Sequence, residues 1–103
     1  MAVSISGKRV IITGGARGIA ATTAKVLARE GANVVTLDIN DDAGLAVANE
    51  ATIAGPGWVR YFHADVSNRA EIFDAIDQGV DILGGLDAIC CVAGVERGGQ
   101  QRP

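Results

Sequence analysis

Short apolar runs alternate with longer amphipathic segments along the chain, a pattern typical of repeated strand–helix–strand units. Four runs predict strands: Val10–Thr13, Asn33–Asp38, Trp58–His63 and Asp87–Val92. Helices are predicted over residues 18–30, from Asn40 to about Ala54, and from a cap at Ser67 or Asn68 to Gly84-Gly85. Strands separated by helices are usually parallel and joined by right-handed crossovers. The sequence therefore predicts an α/β fold, a doubly wound parallel sheet with the order β-α-β-α-β-α-β and spatial strand order 3-2-1-4.

The helical segments also predict which side chains face the sheet. Apolar residues at helical spacing define these faces. Asn68 and Glu71 have the spacing of a capping box, which places the start of the third helix. The expected faces are Ile19, Thr23, Val26 and Leu27 in the first helix, and Ile72, Phe73, Ile76, Val80 and Leu83 in the third.

The turn between the first strand and the first helix is rich in glycine. Glycines let the backbone turn sharply and approach a ligand, and the amides at a helix N-terminus can bind a pyrophosphate. Such turns also close loops that bind nothing, but this one lies between a predicted strand and a predicted helix, as a dinucleotide site requires. The predicted contacts are Gly14, Ala16, Arg17, Gly18 and Ile19.

Asp38 ends the second predicted strand, twenty positions after Gly18. A carboxylate there can accept hydrogen bonds from an adenosine ribose and repels a 2′-phosphate, which favours NAD over NADP. Arg17 argues the other way, because a guanidinium in this turn could bind that phosphate. The alternative for Asp38 is a solvated strand end. Ile39, which follows it, is included in the predicted cofactor site.

This arrangement resembles the short-chain dehydrogenase/reductase family, whose cofactor turn has the pattern Thr-Gly-x-x-x-Gly-x-Gly. Thr13, Gly14 and Gly18 match that pattern, and Ala20 stands at the last glycine. Ala is an accepted variant there, because the third glycine serves close packing between helix and strand. The resemblance implies a Rossmann-type fold that binds NAD.

Two further segments extend the resemblance. Asp65-Val66 follows the third strand, where the family contacts adenine, and Ala93-Gly94 close the fourth strand, where the family has Asn-Asn-Ala-Gly. The match covers Lys8–Gly94. It implies an NAD(P)-binding half-domain over residues 1–94, followed by an irregular polar tail over 95–103.

The fourth strand departs from the family pattern at two positions. Cys91 and Val92 stand where the family has two Asn, and neither can make carboxamide hydrogen bonds. Cys90 and Cys91 are adjacent on a strand and point to opposite faces, which argues against a disulfide or a zinc site. Both cysteines are predicted to be small buried hydrophobes.

The resemblance implies an NAD-dependent oxidoreductase acting on alcohols or ketones, whose catalytic Ser and Tyr-x-x-x-Lys lie after Asn-Asn-Ala-Gly. Here Tyr61, the only tyrosine, is followed four positions later by Asp65. We therefore expect a truncated member that retains the NAD-binding half and is inactive by itself. His63, the only histidine, is predicted to have a structural role rather than to act as a general base.

Two other functions stay open at this point. One is a non-catalytic dinucleotide-binding or interaction module, because an exposed, apolar fourth strand favours homo-oligomers or aggregates. The other is an S-adenosylmethionine-dependent methyltransferase, which also uses a glycine turn and an acid after the second strand. Thr13 and the wide gap from Gly14 to Gly18 argue against the methyltransferase.

Composition narrows the class of protein. The chain has 103 residues, of which 49% are hydrophobic, so it can form one globular domain. A formal net charge of −3 argues against nucleic acid or an anionic membrane as a partner. The longest apolar stretch, Ala88–Ala93, is much shorter than the roughly 20 residues of a membrane span. A cytoplasmic protein is expected.

Overall fold

The structure, a computed structural model, describes residues 5–14, 18–65 and 67–91. The seven elements follow the predicted alternation of strand and helix. They are β1 (Arg9–Thr13), α1 (Gly18–Arg29), β2 (Asn33–Asp38), α2 (Asp41–Ala54), β3 (Trp58–His63), α3 (Arg69–Leu83) and β4 (Ala88–Cys91).

The four strands form one parallel sheet in the order β3-β2-β1-β4, which confirms the predicted fold class. Thr13 pairs with Leu37 and with Cys91, and Asp38 pairs with His63. Because all strands are parallel, the turns that follow β1, β2 and β3 lie at one edge of the sheet. In open α/β sheets this carboxyl edge is where ligands bind.

The central strands β1 and β2 are buried on both faces, as is usual for parallel strands covered by helices. Ile12 and Val34 lie in the core beneath α1 and α2, whereas Ile11, Val35 and Leu37 lie in the core beneath α3. All five side chains are fully buried. The sheet therefore has a helix layer on each face.

The face that α1 buries differs from the prediction. Ala20, Ala24 and Ala28 are fully buried, whereas Ile19 is 80% exposed and Val26 is 44% exposed. The spacing of four residues is helical, as predicted, but the side chains that fit beneath it are methyl groups. Alanine lets α1 lie close to the central strands, where larger side chains would hold it away.

The third helix is capped and oriented largely as predicted. The Asn68 side chain accepts a hydrogen bond from the Glu71 amide at 3.0 Å, which is half of a capping box, while the Asn68 amide donates to Asp65 O at 2.9 Å. The buried face of α3 centres on Gly79 and Leu83. Phe73 is 57% exposed, contrary to the prediction, because at 100° per residue it lies at the margin of that face.

The fourth strand begins one residue later than predicted and is less buried. Asp87 lies outside β4, where its carboxylate binds Arg9, and Val92 lies outside the described residues. Cys90 is half-buried against the core beneath α1 and α2, whereas Cys91 is exposed, so the burial predicted for the cysteines is wrong for Cys91. Among the described strands, β4 has a neighbour only at β1, and this edge position explains the exposure.

None of the described helices is both long enough and apolar enough to cross a membrane.

Candidate functional site

The turn after β1 is shaped by two glycines. Gly14 has a φ of 76° and its amide donates to Leu37 O at 2.6 Å, which joins the end of β1 to the end of β2. Gly18 has a φ of 60° and begins α1. L-residues with side chains rarely adopt such values, so the local requirement for glycine is conformational. Gly15, Ala16 and Arg17 lie outside the described residues.

The first two residues of α1 are exposed to solvent. Gly18 and Ile19 are exposed, and the first turn contains no acidic residue. The first four amides of a helix have no partner within the helix and carry the positive end of its dipole. This end of α1 can therefore accept an anion, and the exposed Ile19 side chain flanks it.

Asp38 is the last residue of β2, and its own turn holds its carboxylate. Asp38 Oδ1 accepts the Ile39 amide at 2.6 Å and the Asn40 amide at 3.3 Å. The backbone carbonyl of Asp38 accepts the Ala64 amide at 2.9 Å and the Tyr61 hydroxyl at 2.8 Å. Both the side chain and the peptide of Asp38 are thus fixed, as a specific recognition group requires.

A second cluster, made of Tyr61, Asp41 and His63, lies beside Asp38. Asp41 Oδ1 accepts the Tyr61 hydroxyl at 2.6 Å and lies 2.7 Å from His63 Nδ1. The Tyr61 ring packs on Gly44, where a Cβ would meet the ring. His63 lies at the predicted strand end, and its partner is a carboxylate on the first turn of α2.

Hydrogen bonding in this cluster shifts the pKa of each member. The Tyr61 hydroxyl and His63 hold the pKa of Asp41 below its usual value. The hydrogen bond to Asp41 raises the pKa of His63. The pKa of Tyr61 is raised mainly by burial of its hydroxyl and, to a smaller extent, by the hydrogen bond to the Asp41 carboxylate. Sequence reasoning missed Tyr61 and Asp41 as site residues. The available indication was spacing, because residues 61 and 63 share one face of β3 and point to one neighbouring helix.

The turn after β3 holds a third carboxylate. Asp65 Oδ1 accepts the Ser67 amide at 2.9 Å and the Ser67 hydroxyl at 2.7 Å. These hydrogen bonds lower the pKa of Asp65. Val66, the other predicted contact in this turn, lies outside the described residues.

The carboxyl edge of the sheet brings three of the four predicted segments together. Gly14 follows β1, Asp38 ends β2 and Asp65 follows β3, with direct backbone hydrogen bonds between neighbouring turns. Ala93 and Gly94 lie outside the described residues. Amides at a helix N-terminus suit phosphate oxygens, and a fixed carboxylate suits a vicinal diol, so the donors and acceptors present fit the adenosine diphosphate half of a dinucleotide.

A separate groove of about 520 Å³ lies on the other side of β3. It runs between α2 and α3, and its walls include the Tyr61, Asp41 and His63 cluster. Of the glycine turn, the described residues Gly14 and Gly18 do not line this groove. The cluster therefore stands between the groove and the Asp38 turn.

Comparison with known proteins agrees with this architecture. Residues 8–102 match the short chain dehydrogenase family. Momilactone A synthase of Oryza sativa subsp. japonica is 42% identical over 89 residues, which cover 86% of this chain and 31% of that protein. The chain spans about a third of the length of the curated relatives it matches.

Solved structures give the same result. NAD+-bound xylitol dehydrogenase superposes with a TM-score of 0.79 at 25% identity, covering 84% of this chain and 33% of that one. An NADH-dependent reductase complexed with NAD superposes with a TM-score of 0.76 at 33% identity, covering 84% of this chain and 36% of that one. From its sequence match and its Rossmann-type fold, the chain belongs to the short-chain dehydrogenase family.

Proposed function

We propose that this chain binds the adenosine and pyrophosphate of NAD at the carboxyl edge of its sheet, as the cofactor-binding part of an NAD-dependent oxidoreductase acting on alcohols or ketones. One observation carries the proposal: the Asp38 carboxylate is held at the end of β2 by the Ile39 and Asn40 amides, beside the Gly14 turn. The two NAD-bound neighbours support it by likeness.

Each part of the nucleotide has a matching set of residues. The pyrophosphate accepts hydrogen bonds from backbone amides at the glycine turn and the start of α1. The Asp38 carboxylate accepts the ribose hydroxyls, and apolar side chains flank the adenine. The proposed contacts are Gly14, Ala16, Arg17, Gly18 and Ile19 for the pyrophosphate, Asp38 and Ile39 for the ribose and adenine, and Asp65 and Val66 for the adenine. Ala93 and Gly94 are proposed to contact the part of the cofactor that lies past the pyrophosphate.

Two exposed apolar side chains support this assignment. Ile39 is 60% exposed beside Asp38, and Ile19 is exposed at the first turn of α1. Burial of such side chains against a ligand contributes roughly 25 cal/mol for each Å² removed from water. The bound nucleotide would therefore cover apolar surface that the fold itself leaves open.

The charge of Asp38 favours NAD over NADP. A 2′-phosphate would place a second negative charge against this carboxylate, and like charges at such a distance repel. The Asp38 side chain already accepts two amides of its own turn, so it is not free to swing away without losing them. We propose NAD as the cofactor.

Bound NAD would supply the hydride acceptor or donor, and this chain's residues would bind and orient it. A Tyr-x-x-x-Lys pair does not occur in the 103 residues, since Tyr61 is followed by Asp65 at the required spacing. We propose that proton transfer to substrate needs groups outside this sequence, so the chain alone does not turn over alcohols or ketones.

Isothermal titration of the chain with NAD and with NADP tests the binding proposal. We expect NAD to bind more tightly than NADP. Asp38→Asn should weaken the binding of NAD and reduce the difference in affinity between NAD and NADP. Asp77→Asn on α3 removes the same charge at an exposed position away from the site and should leave both affinities unchanged. Equal loss in both variants, or no binding of NAD to the folded chain, would contradict the proposal.

A second candidate function is self-association through the β4 edge. Ile89 is 42% exposed on the sheet face that α3 covers at β1 and β2. An apolar edge strand is a template for pairing with another chain. Light scattering of the wild type and of Ile89→Lys tests this: a concentration-dependent mass that the substitution abolishes supports it, and a monomer at all concentrations contradicts it.

A further inference from the structure

The peptide that joins Asp38 to Ile39 is held from both sides. Its carbonyl oxygen accepts the Tyr61 hydroxyl at 2.8 Å, and its N–H donates to Asp38 Oδ1 at 2.6 Å. Carbonyl and N–H belong to one planar unit, so they rotate together. The Tyr61 hydroxyl therefore binds the carbonyl of the same peptide whose N–H binds and orients the Asp38 carboxylate.

The Tyr61 hydroxyl has one proton and two acceptors. Asp38 O lies at 2.8 Å and Asp41 Oδ1 at 2.6 Å, both within hydrogen-bond distance. A phenol donates only one hydrogen bond, so strengthening one contact weakens the other. Asp41 Oδ1 also contacts His63 Nδ1 at 2.7 Å, which makes His63 a competitor for the same carboxylate oxygen.

We propose that Tyr61 is a positioning residue for Asp38, and that the charge on His63 decides how strongly the Tyr61 hydroxyl holds the Asp38 peptide. The inference rests on the proposed function, because it assigns Asp38 to the adenosine ribose. It adds that the protonation of His63, in the groove beside β3, changes the affinity of the Asp38 site for the nucleotide.

Electrostatics gives the direction of the effect. A protonated His63 partly neutralises the charge of the Asp41 carboxylate, which makes Asp41 a weaker acceptor for the Tyr61 hydroxyl. The hydroxyl then donates its hydrogen bond more strongly to Asp38 O. A neutral His63 leaves Asp41 as the stronger acceptor, and the hold on Asp38 weakens. Affinity for NAD is therefore expected to fall as the pH rises through the pKa of His63.

Carboxylates lie around the half-exposed side chain of His63. The hydrogen bond to Asp41 raises the pKa of His63, and Glu71 and Asp65 raise it further. The charged or titratable groups around it are Tyr61 on β3, Asp41 on α2, Asp65 after β3, and Glu71 and Asp74 on α3. These carboxylates favour the charged imidazole, so the transition is expected above the usual value of about 6.5.

The test is the dissociation constant of NAD as a function of pH for the full chain and for two variants. Tyr61→Phe keeps the ring on Gly44 and removes the hydroxyl, and His63→Gln removes the titration. In the wild type we expect binding to weaken about three- to tenfold with rising pH, the range of one hydrogen bond. Both variants should lose this dependence, and Tyr61→Phe should bind weakly throughout.

Long-range attraction between charged His63 and the anionic cofactor is the competing explanation. That attraction does not pass through the hydroxyl, so Tyr61→Phe would keep the wild-type pH dependence, and this outcome would overturn the proposal. Asp74→Asn is the matched control in the groove. It removes a groove carboxylate that does not contribute to the raised pKa of His63, so the wild-type pH dependence should persist, whereas Glu71→Gln removes one that does and should lower the transition without abolishing it.

Amide chemical shifts of the unliganded chain separate this proposal from the proposed function. The Ile39 and Asn40 amides, which bind the Asp38 carboxylate, should titrate together with the His63 ring in the wild type and not in Tyr61→Phe. If they do so while NAD fails to bind, the proposed function is wrong and the positioning stands. If they titrate equally in both proteins, the positioning is wrong whatever NAD does.

Discussion

The Tyr61 hydroxyl lies 2.8 Å from the carbonyl oxygen of Asp38 and ties the edge strand β3 to the last residue of β2. The register of the sheet places them near each other, because Asp38 pairs with His63 and Tyr61 lies two positions earlier on β3. The same tyrosine ring packs on Gly44 of α2. The relationship therefore joins three elements at the proposed nucleotide site.

Gly44→Ala should destabilise the chain through this contact. A Cβ at Gly44 would clash with the Tyr61 ring, so the ring or the helix must move. Overpacking of this kind costs about 1–3 kcal/mol, offset in part by the better helix propensity of alanine, about 1 kcal/mol. Urea denaturation measures the change. Tyr61→Ala in the same chain should make Gly44→Ala neutral or stabilising, and an undiminished penalty would contradict the contact.

Enlarging the alanine face of α1 should be costly. Ala24→Leu places a larger side chain where the native methyl group is fully buried, and we expect a loss of about 1–3 kcal/mol in the free energy of unfolding. Thr22→Leu, at an exposed position of the same helix, is the control and should have little effect. Similar losses from both would show that α1 does not pack through its alanines.

The ion pair of Arg9 and Asp87 should make the free energy of unfolding depend on pH in the acidic range. The Arg9 guanidinium contacts both carboxylate oxygens of Asp87, at 3.1 and 3.2 Å, and the Arg9 amide binds one of them at 2.8 Å. These hydrogen bonds lower the pKa of Asp87 to about 2. A lowered carboxyl pKa stabilises the fold above the unfolded value of about 4, and this contribution is lost as the pH falls towards 2.

Asp87→Asn tests that dependence. The variant should be less stable than the wild type at neutral pH, and the difference should shrink as the pH falls from about 4 to 2. Thermal unfolding at a series of pH values measures it. A difference that is constant across this range would mean that the Asp87 charge contributes nothing.

His63 should give the opposite dependence. Its raised pKa means that its contribution to stability is fully present below the unfolded value of about 6.5 and is lost as the pH rises through the folded value. Urea denaturation at a series of pH values gives the free energy of unfolding of the wild type and of His63→Gln. The wild type should be the more stable at low pH, and the two free energies should converge towards alkaline pH. Parallel curves would argue that His63 and Asp41 do not form a charged pair.

The sequence predicted the element order and the sheet topology because β-branched runs and glycine turns are local features. Asn68 could be placed as a cap for the same reason. The alanine face of α1 was missed because hydrophobicity favours Ile19 and Val26, whereas the close approach of helix and sheet, known only in three dimensions, selects methyl groups. Exposure of Cys91 depends equally on which strands are neighbours.

The candidate site divides along the same line. Gly14, Gly18 and Asp38 follow from motif spacing within the first two strands. Tyr61 and Asp41 are twenty positions apart and meet only through the pairing of β2 with β3 and the placement of α2, so no local pattern marks them. A residue that acts by holding a backbone carbonyl leaves no motif of its own.

The most direct test of the account is an amide chemical-shift titration of the chain with ADP-ribose, the part of NAD that the site is proposed to hold. We predict that shifts concentrate at Gly14, Gly18, Ile19 and Ile39, and that Asp38→Asn weakens binding without moving the affected region. Shifts centred on Glu71 and Gln78 in the groove beyond β3, or none in the folded chain, would contradict it.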